Sequence, residues 1–88
     1  MIGIFTFKAK SAEQTKIWIE KFLPNQNKPI YRHEDLVGCD LLILPGGNDL
    51  GVDIERDMFE LITFDFAIKF KIPVIGICRG MQLINHHF

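Results

Sequence analysis

Apolar residues in this chain fall into short unbroken runs, separated by segments where they recur at helical intervals. Met1-Ile-Gly-Ile-Phe5, Leu41–Leu44 and Val74–Ile77 are continuous runs without polar alternation. Such runs predict strands buried on both faces, as in a parallel sheet. Pro29-Ile-Tyr31 predicts a short edge strand, because proline cannot donate to an inner ladder. Between the strands, Ser11-Ala-Glu-Gln14 has the spacing of a capping box, and Trp18, Ile19 and Phe22 follow at helical intervals until Pro24. Pro24 to Lys28 predicts a polar turn, and Glu34-Asp-Leu-Val37 a helical turn leading to Gly38. Asp53 to Phe70 predicts a longer helix with Met58, Leu61, Ile62, Phe66 and Phe70 as its apolar positions. On this helix Glu55, Arg56, Asp57 and Glu60 are expected to be solvated, with the acidic residues favoured by the helix dipole.

Strand, helix, strand, helical turn, strand, helix, strand in this order predicts an α/β fold, a flavodoxin-like three-layer sandwich around a mostly parallel sheet. The simplest strand order is 2-1-3-4, with right-handed crossovers and a site at the carboxyl ends of the strands. No internal repeat or low-complexity linker interrupts the alternation. The strand carrying residues 74–77 is the last of the chain, so its outer edge is expected to need a further strand, a second chain or another copy to cover it.

Two glycine-containing motifs follow the last two strands. In Gly76-x-Cys78-x-Gly80, small residues two before and two after the cysteine permit the tight strand-to-helix turn of a nucleophile elbow. A thiol there would meet the N–H groups and positive dipole end of a helix, which favour the thiolate. Cys78 is therefore the candidate nucleophile. In Leu41-Leu-Ile-Leu-Pro-Gly-Gly-Asn48, the paired glycines let main-chain amides approach a ligand without side-chain obstruction. The N–H of Gly47, or that of Gly46, together with that of Arg79 would form an oxyanion hole for an attacked carbonyl. Losing one such donor typically costs roughly a hundred-fold in rate.

Leu44-Pro-Gly-Gly-Asn-Asp49 and Ile75-Gly-Ile-Cys-Arg-Gly-Met-Gln-Leu-Ile-Asn85 together resemble the class I glutamine amidotransferase-like superfamily. Within it they are most similar to the γ-glutamyl hydrolase branch that includes γ-glutamyl-γ-aminobutyrate hydrolase, and Glu55-Arg-Asp-Met-Phe-Glu60 fits the same branch. The resemblance is close from Leu41 to Asn85 and extends to the first forty residues only in broad pattern. It implies cleavage of a γ-glutamyl amide through a cysteine thioester, on glutamine or another small γ-glutamyl compound, with no cofactor. It also implies that Gln82 and the Gly46 loop help bind substrate. Asp49 could orient that loop, although turn-forming Asn and Asp are common on structural grounds. The family completes a Cys-His-Glu triad with residues far downstream, which this sequence, ending at Phe88, does not include. Residues 1–88 are therefore expected to be the N-terminal part of such a domain, stopping just after the elbow. His86 does not substitute: on a helix continuing from Cys78 it would lie roughly 12 Å along the axis. His33 precedes the glycine pair, where the family places no base.

Composition fits this expectation. Of 88 residues, 48% are hydrophobic, including eight phenylalanines and one tryptophan, more core material than so small a unit readily covers. A net charge of −1 leaves no footprint for nucleic acid or an anionic membrane. Two cysteines without CxxC spacing, and no apolar run near ~20 residues, point to a reduced, cytoplasmic setting. Cys39 reads as a small buried hydrophobe. No histidine, cysteine or carboxylate spacing resembles a metal site. Two other readings stay open: a non-catalytic remnant or split subunit that binds a γ-glutamyl ligand or a partner chain, and the related cysteine-elbow chaperone and protease-like proteins of the same fold.

Overall fold

The computed structural model describes residues 1–46 and 53–77. It contains β1 (Ile2–Phe5), α1 (Ala12–Glu20), β2 (Asn27–Ile30), a 3-10 turn (His33–Leu36), β3 (Leu41–Leu44), α2 (Ile54–Lys69) and β4 (Val74–Gly76). The four strands form one sheet in the order β2-β1-β3-β4, and every pair is parallel. This is the α/β, flavodoxin-like architecture and strand order expected from the apolar runs.

Side-chain alternation along the strands divides the core into two layers. Ile4 of β1 and Ile43 of β3 pack with Ala9, Ala12 and Ile19 on the α1 face. Phe5, Leu42 and Leu44 turn the other way and join Ile30, Leu36, Cys39, Phe64 and Ala67 under the 3-10 turn and α2. The two helical crossovers lie on opposite faces and run in opposite directions from the β1–β3 pair, so both have the same hand. Gly3 sits where β1 meets β2 and the end of the 3-10 turn. A Cβ there would lie 2.9 Å from Ile30 Cγ1 and 3.2 Å from Cys39 Sγ, so this close approach requires glycine. Gly38, with φ of 86°, supplies the left-handed step between the 3-10 turn and β3.

Several local expectations are corrected. Asn27 and Lys28 are not part of a polar turn but open β2, paired with Ile2 and Gly3, while Tyr31 lies beyond the strand. The Asn27 side chain is tied to Glu20 Oε2 at 2.5 Å, which anchors that strand start to the end of α1. Ser11 occupies the N-cap of α1 in a helical conformation and makes no side-chain capping bond. Of the apolar α1 positions, Ile19 is buried, whereas Trp18 and Phe22 pack edge-on against each other, exposed to solvent. β4 was expected to be buried on both faces. It is the outermost strand among the described residues, and Ile75 is half exposed.

The largest correction concerns α2. Its inward face is Arg56, Glu60, Thr63, Phe64 and Ala67, spaced as one stripe of a helix. Met58, Leu61, Ile62 and Phe70 are exposed, and only Phe66 of the expected apolar set packs against the core. The small Thr63 and Ala67 let the helix approach the sheet closely. Toward its N-terminus the helix buries charge instead.

Candidate functional site at the carboxyl ends of β3 and β4

Strand order reverses between β1 and β3: one crossover leads from β1 to β2, the other from β3 to β4 on the opposite side. The carboxyl ends of these central strands form the topological switch point, where ligands bind in open α/β sheets. Pro45 and Gly46 leave β3 at this point.

Two donors from different elements meet on the Gly46 carbonyl. The Ser11 hydroxyl donates to it from the start of α1, which explains why that hydroxyl does not cap its own helix. Arg56 Nη2 donates to it at 3.2 Å and to the Pro45 carbonyl at 3.3 Å. The guanidinium is itself held by Nε donating to Glu60 Oε2 at 3.2 Å, one helical turn on, and it lies 6.0 Å from the centre of the Phe5 ring. Arg56 is 2% exposed and Glu60 fully buried. The expectation that these residues are solvated is thus overturned. Their charges are drawn inward because the carbonyls at the end of β3 need donors, and the arginine then needs a carboxylate.

Burial pushes the Glu60 carboxyl up to about 7, against the opposing pull of the Arg56 charge and its hydrogen bond. The start of α2 is secured by Asp53, whose carboxylate caps the Arg56 N–H at 3.1 Å. Lys8, in the loop after β1, reaches Glu55 at 3.5 Å and Asp53 at 3.9 Å. The loop after β1, the exit of β3 and the first turn of α2 are therefore stitched together around Gly46.

β4 brings the second motif to the same level. Leu44 pairs with Gly76, and the Ile77 N–H donates to the Leu44 carbonyl at 2.9 Å. Gly46 follows this paired level by two residues along the chain. Gly47, Asp49, Cys78, Arg79 and Gln82 lie outside the described residues, as do His86 and His87. Of the expected site residues, Gly46 is the one described.

The other candidates separate from this point. His33 pairs with Glu34 at 2.9 Å and rests on Phe66, against the middle of α2 rather than its first turn. Cys39 is buried, and desolvation raises its thiol pKa, the signature of an inert core cysteine. A hollow of about 130 Å³ lined by Thr6, Glu13, Lys16, Asn27 and Tyr31 lies between α1 and the β1–β2 pair. It is on the far side of β1 from β3 and smaller than the ~300 Å³ at which small-molecule pockets usually begin. Among the described residues, no cluster of three histidine, cysteine or acidic groups is arranged for a metal. No helix among them is long and apolar enough to cross a membrane.

Sequence comparison supplies the family. Residues 19–88 match Peptidase C26. The chain belongs to the Peptidase C26 family. This is a class I glutamine amidotransferase-like family, as the two glycine motifs indicated. The γ-glutamyl-CDP-amidate hydrolase of Campylobacter jejuni is 42% identical over 53 residues, covering 53% of this chain and 26% of that protein. A glutamine amidotransferase-like protein of Rickettsia prowazekii is 36% identical over 81 residues, 75% of this chain and 28% of its own length. The imidazole glycerol phosphate synthase subunit HisH of Methanocaldococcus jannaschii is 31% identical over 86 residues, 96% of this chain and 42% of its own. The Peptidase C26 chain thus spans between about a quarter and two fifths of the length of these relatives. No solved structure gives a significant match.

Sequence reasoning missed Ser11, Arg56 and Glu60 as parts of this region. The available signal was the stripe Arg56, Glu60, Thr63, Ala67: two small residues on one helix face mark it as the face that approaches the sheet.

Proposed function

We propose that this Peptidase C26 chain carries the nucleophile half of a glutaminase-type site, in which Cys78 attacks the side-chain amide carbon of glutamine or a γ-glutamyl compound. The observation that supports this reading best is the parallel register of Leu44 with Gly76, extended by the Ile77 to Leu44 hydrogen bond. It sets β3 and β4, the strands that precede the Gly-Gly motif and the cysteine motif in the sequence, side by side in the sheet.

The chemistry follows from the residue types. The thiolate forms an S–C bond to the carbonyl carbon, and the negative charge moves to oxygen, where the N–H groups of Gly47 and Arg79 receive it. Collapse breaks the C–N bond, and the amine leaves with a proton. Water then attacks the thioester, the S–C bond breaks, and the thiolate is regenerated. Gly46 and Gln82 would contact the γ-glutamyl group. The histidine and carboxylate that move these protons would come from sequence outside residues 1–88, which are read as the N-terminal part of the domain.

Hydrolysis of L-γ-glutamyl-p-nitroanilide by the full-length protein tests the proposal. It predicts release of p-nitroaniline that Cys78→Ala abolishes and Cys39→Ala leaves within about two-fold. Equal turnover by Cys78→Ala would reject it.

A second reading, a subunit that binds a γ-glutamyl ligand or a partner without turnover, is favoured by β4, outermost among the described residues, and its half-exposed Ile75. It predicts saturable binding of L-glutamine with no product formed.

A further inference from the structure

Between the 3-10 turn and α2 lies a cavity of about 330 Å³, lined by Arg32, His33, Glu34, Phe59 and Ile62. Its volume reaches the ~300 Å³ at which small-molecule pockets usually begin. Arg32 to Glu34 enter it just past the end of β2, which β1 separates from β3 and Gly46. None of the five residues belongs to either glycine motif. We infer that this cavity binds a free α-amino acid with an aromatic side chain, its carboxylate on Arg32, its ammonium on Glu34 and its ring against Phe59 and Ile62. The inference is independent of the proposed chemistry at Cys78.

The apolar floor is built before any ligand arrives. Phe59 is partly buried against the core, and its ring is held by Phe7 at a centroid distance of 4.6 Å. Ile62, three residues on and so on the same face of α2, is 46% exposed. The His33 ring rests on Phe66, with centroids 5.3 Å apart. A ligand ring therefore meets side chains that do not have to be ordered first, which lowers the entropic cost of binding.

The polar lining carries one charge of each sign with capacity to spare. Among the described residues the Arg32 guanidinium makes no hydrogen bond or ion pair. The acidic group next to it, Asp35, is already engaged, since its Oδ2 accepts the N–H groups of Tyr31 at 2.9 Å and Arg32 at 3.2 Å. The guanidinium is left with a planar fork of donors that matches a carboxylate. Glu34 Oε1 lies 2.9 Å from His33 Nε2, and its second oxygen can accept an ammonium. A cation and a carboxylate on either side of His33, beside an apolar floor, complement a molecule that carries both charges on one carbon and an aromatic ring beyond it. An aromatic acid would leave Glu34 unmatched, and an aromatic amine would leave Arg32 unmatched.

Calorimetric titration of the full-length protein with L-phenylalanine tests the inference. One saturable site is expected, with a Kd on the order of 10 μM to 1 mM. 3-Phenylpropionate, which lacks the ammonium, and phenethylamine, which lacks the carboxylate, should each bind at least roughly ten-fold more weakly. L-Alanine, which lacks the ring, should do the same. Arg32→Gln and Glu34→Gln, both at exposed positions, should weaken L-phenylalanine by a similar factor with an unchanged circular dichroism spectrum. The ligand series needs no substitution and tests the same contacts if a variant fails to fold. Cys78→Ala should bind as tightly as wild type. Absence of saturable binding up to ~10 mM L-phenylalanine overturns the inference. So does equal affinity for 3-phenylpropionate, undiminished binding by folded Arg32→Gln, or loss of binding in Cys78→Ala, which would put the ligand at the catalytic site instead.

Discussion

Replacing Arg56 with leucine removes a side chain that joins β3, α2 and the Phe5 ring, and the cost follows from what it leaves behind. Arg56 donates to Glu60 and to the carbonyls of Pro45 and Gly46, all from a position that is 2% exposed. Leucine fills much of the volume but donates nothing. Breaking a buried ion pair by removing one partner costs about 3–5 kcal/mol, because the other charge stays in the core. The stranded carbonyls fall within that range, since an unmet buried acceptor costs about 1–3 kcal/mol on its own. Glu60 makes the loss depend on pH. Without the arginine its pKa rises further above about 7, so near pH 5 it sits neutral in the core and the penalty shrinks. Urea unfolding of the full-length protein at pH 5 and pH 8 measures both parts. The expected loss is about 3–5 kcal/mol at pH 8 and smaller at pH 5, and Arg56→Leu/Glu60→Leu should be more stable at pH 8 than Arg56→Leu alone. A loss below about 1 kcal/mol at pH 8, the size of an exposed salt bridge, would refute the buried pair.

Three further outcomes are expected. Gly3→Ala should destabilise by about 1–3 kcal/mol in thermal or urea unfolding, because its Cβ would stand 2.9 Å from Ile30, which is fully buried. Burial raises Glu60 from 4.5 to about 7, so the folded state holds this proton at pH values where the unfolded chain has lost it. The resulting stabilisation is complete below pH 4.5 and disappears as pH rises through about 7, and Glu60→Gln should flatten that decline in a stability–pH profile. Cys39 should react with Ellman's reagent only as fast as the protein opens, its rate jumping in denaturant, since its thiol is buried and its pKa raised.

The strands and their order were legible because unbroken apolar runs such as Leu41–Leu44 have one economical destination, the middle of a parallel sheet. Ends were less so: Asn27 and Lys28 look like turn residues, and only pairing with β1 draws them into β2. Hydrophobic periodicity failed on α2 for a physical reason. It assumes that the inward stripe is the most apolar one, whereas α2 turns Arg56 and Glu60 toward carbonyls at the end of β3 and leaves Met58 and Ile62 outside. Ser11 was misread for a related reason. A serine with a glutamine three residues on matches a local cap, but its hydroxyl finds a carbonyl 35 residues away in sequence. Both errors fall beside the Gly-Gly motif, where local rules give way to what the carboxyl end of the sheet requires. The family was legible because the two glycine motifs stand in this order with a helix between them.

The central claim is that Cys78 carries the γ-glutamyl group as a thioester. Peptide mass mapping of the full-length protein, acid-quenched during turnover of L-γ-glutamyl-p-nitroanilide, tests it directly. The account predicts one γ-glutamyl adduct on the peptide containing Cys78, labile to hydroxylamine and absent from Cys78→Ala. Turnover with no adduct on that peptide, or an adduct on Cys39 instead, would contradict it.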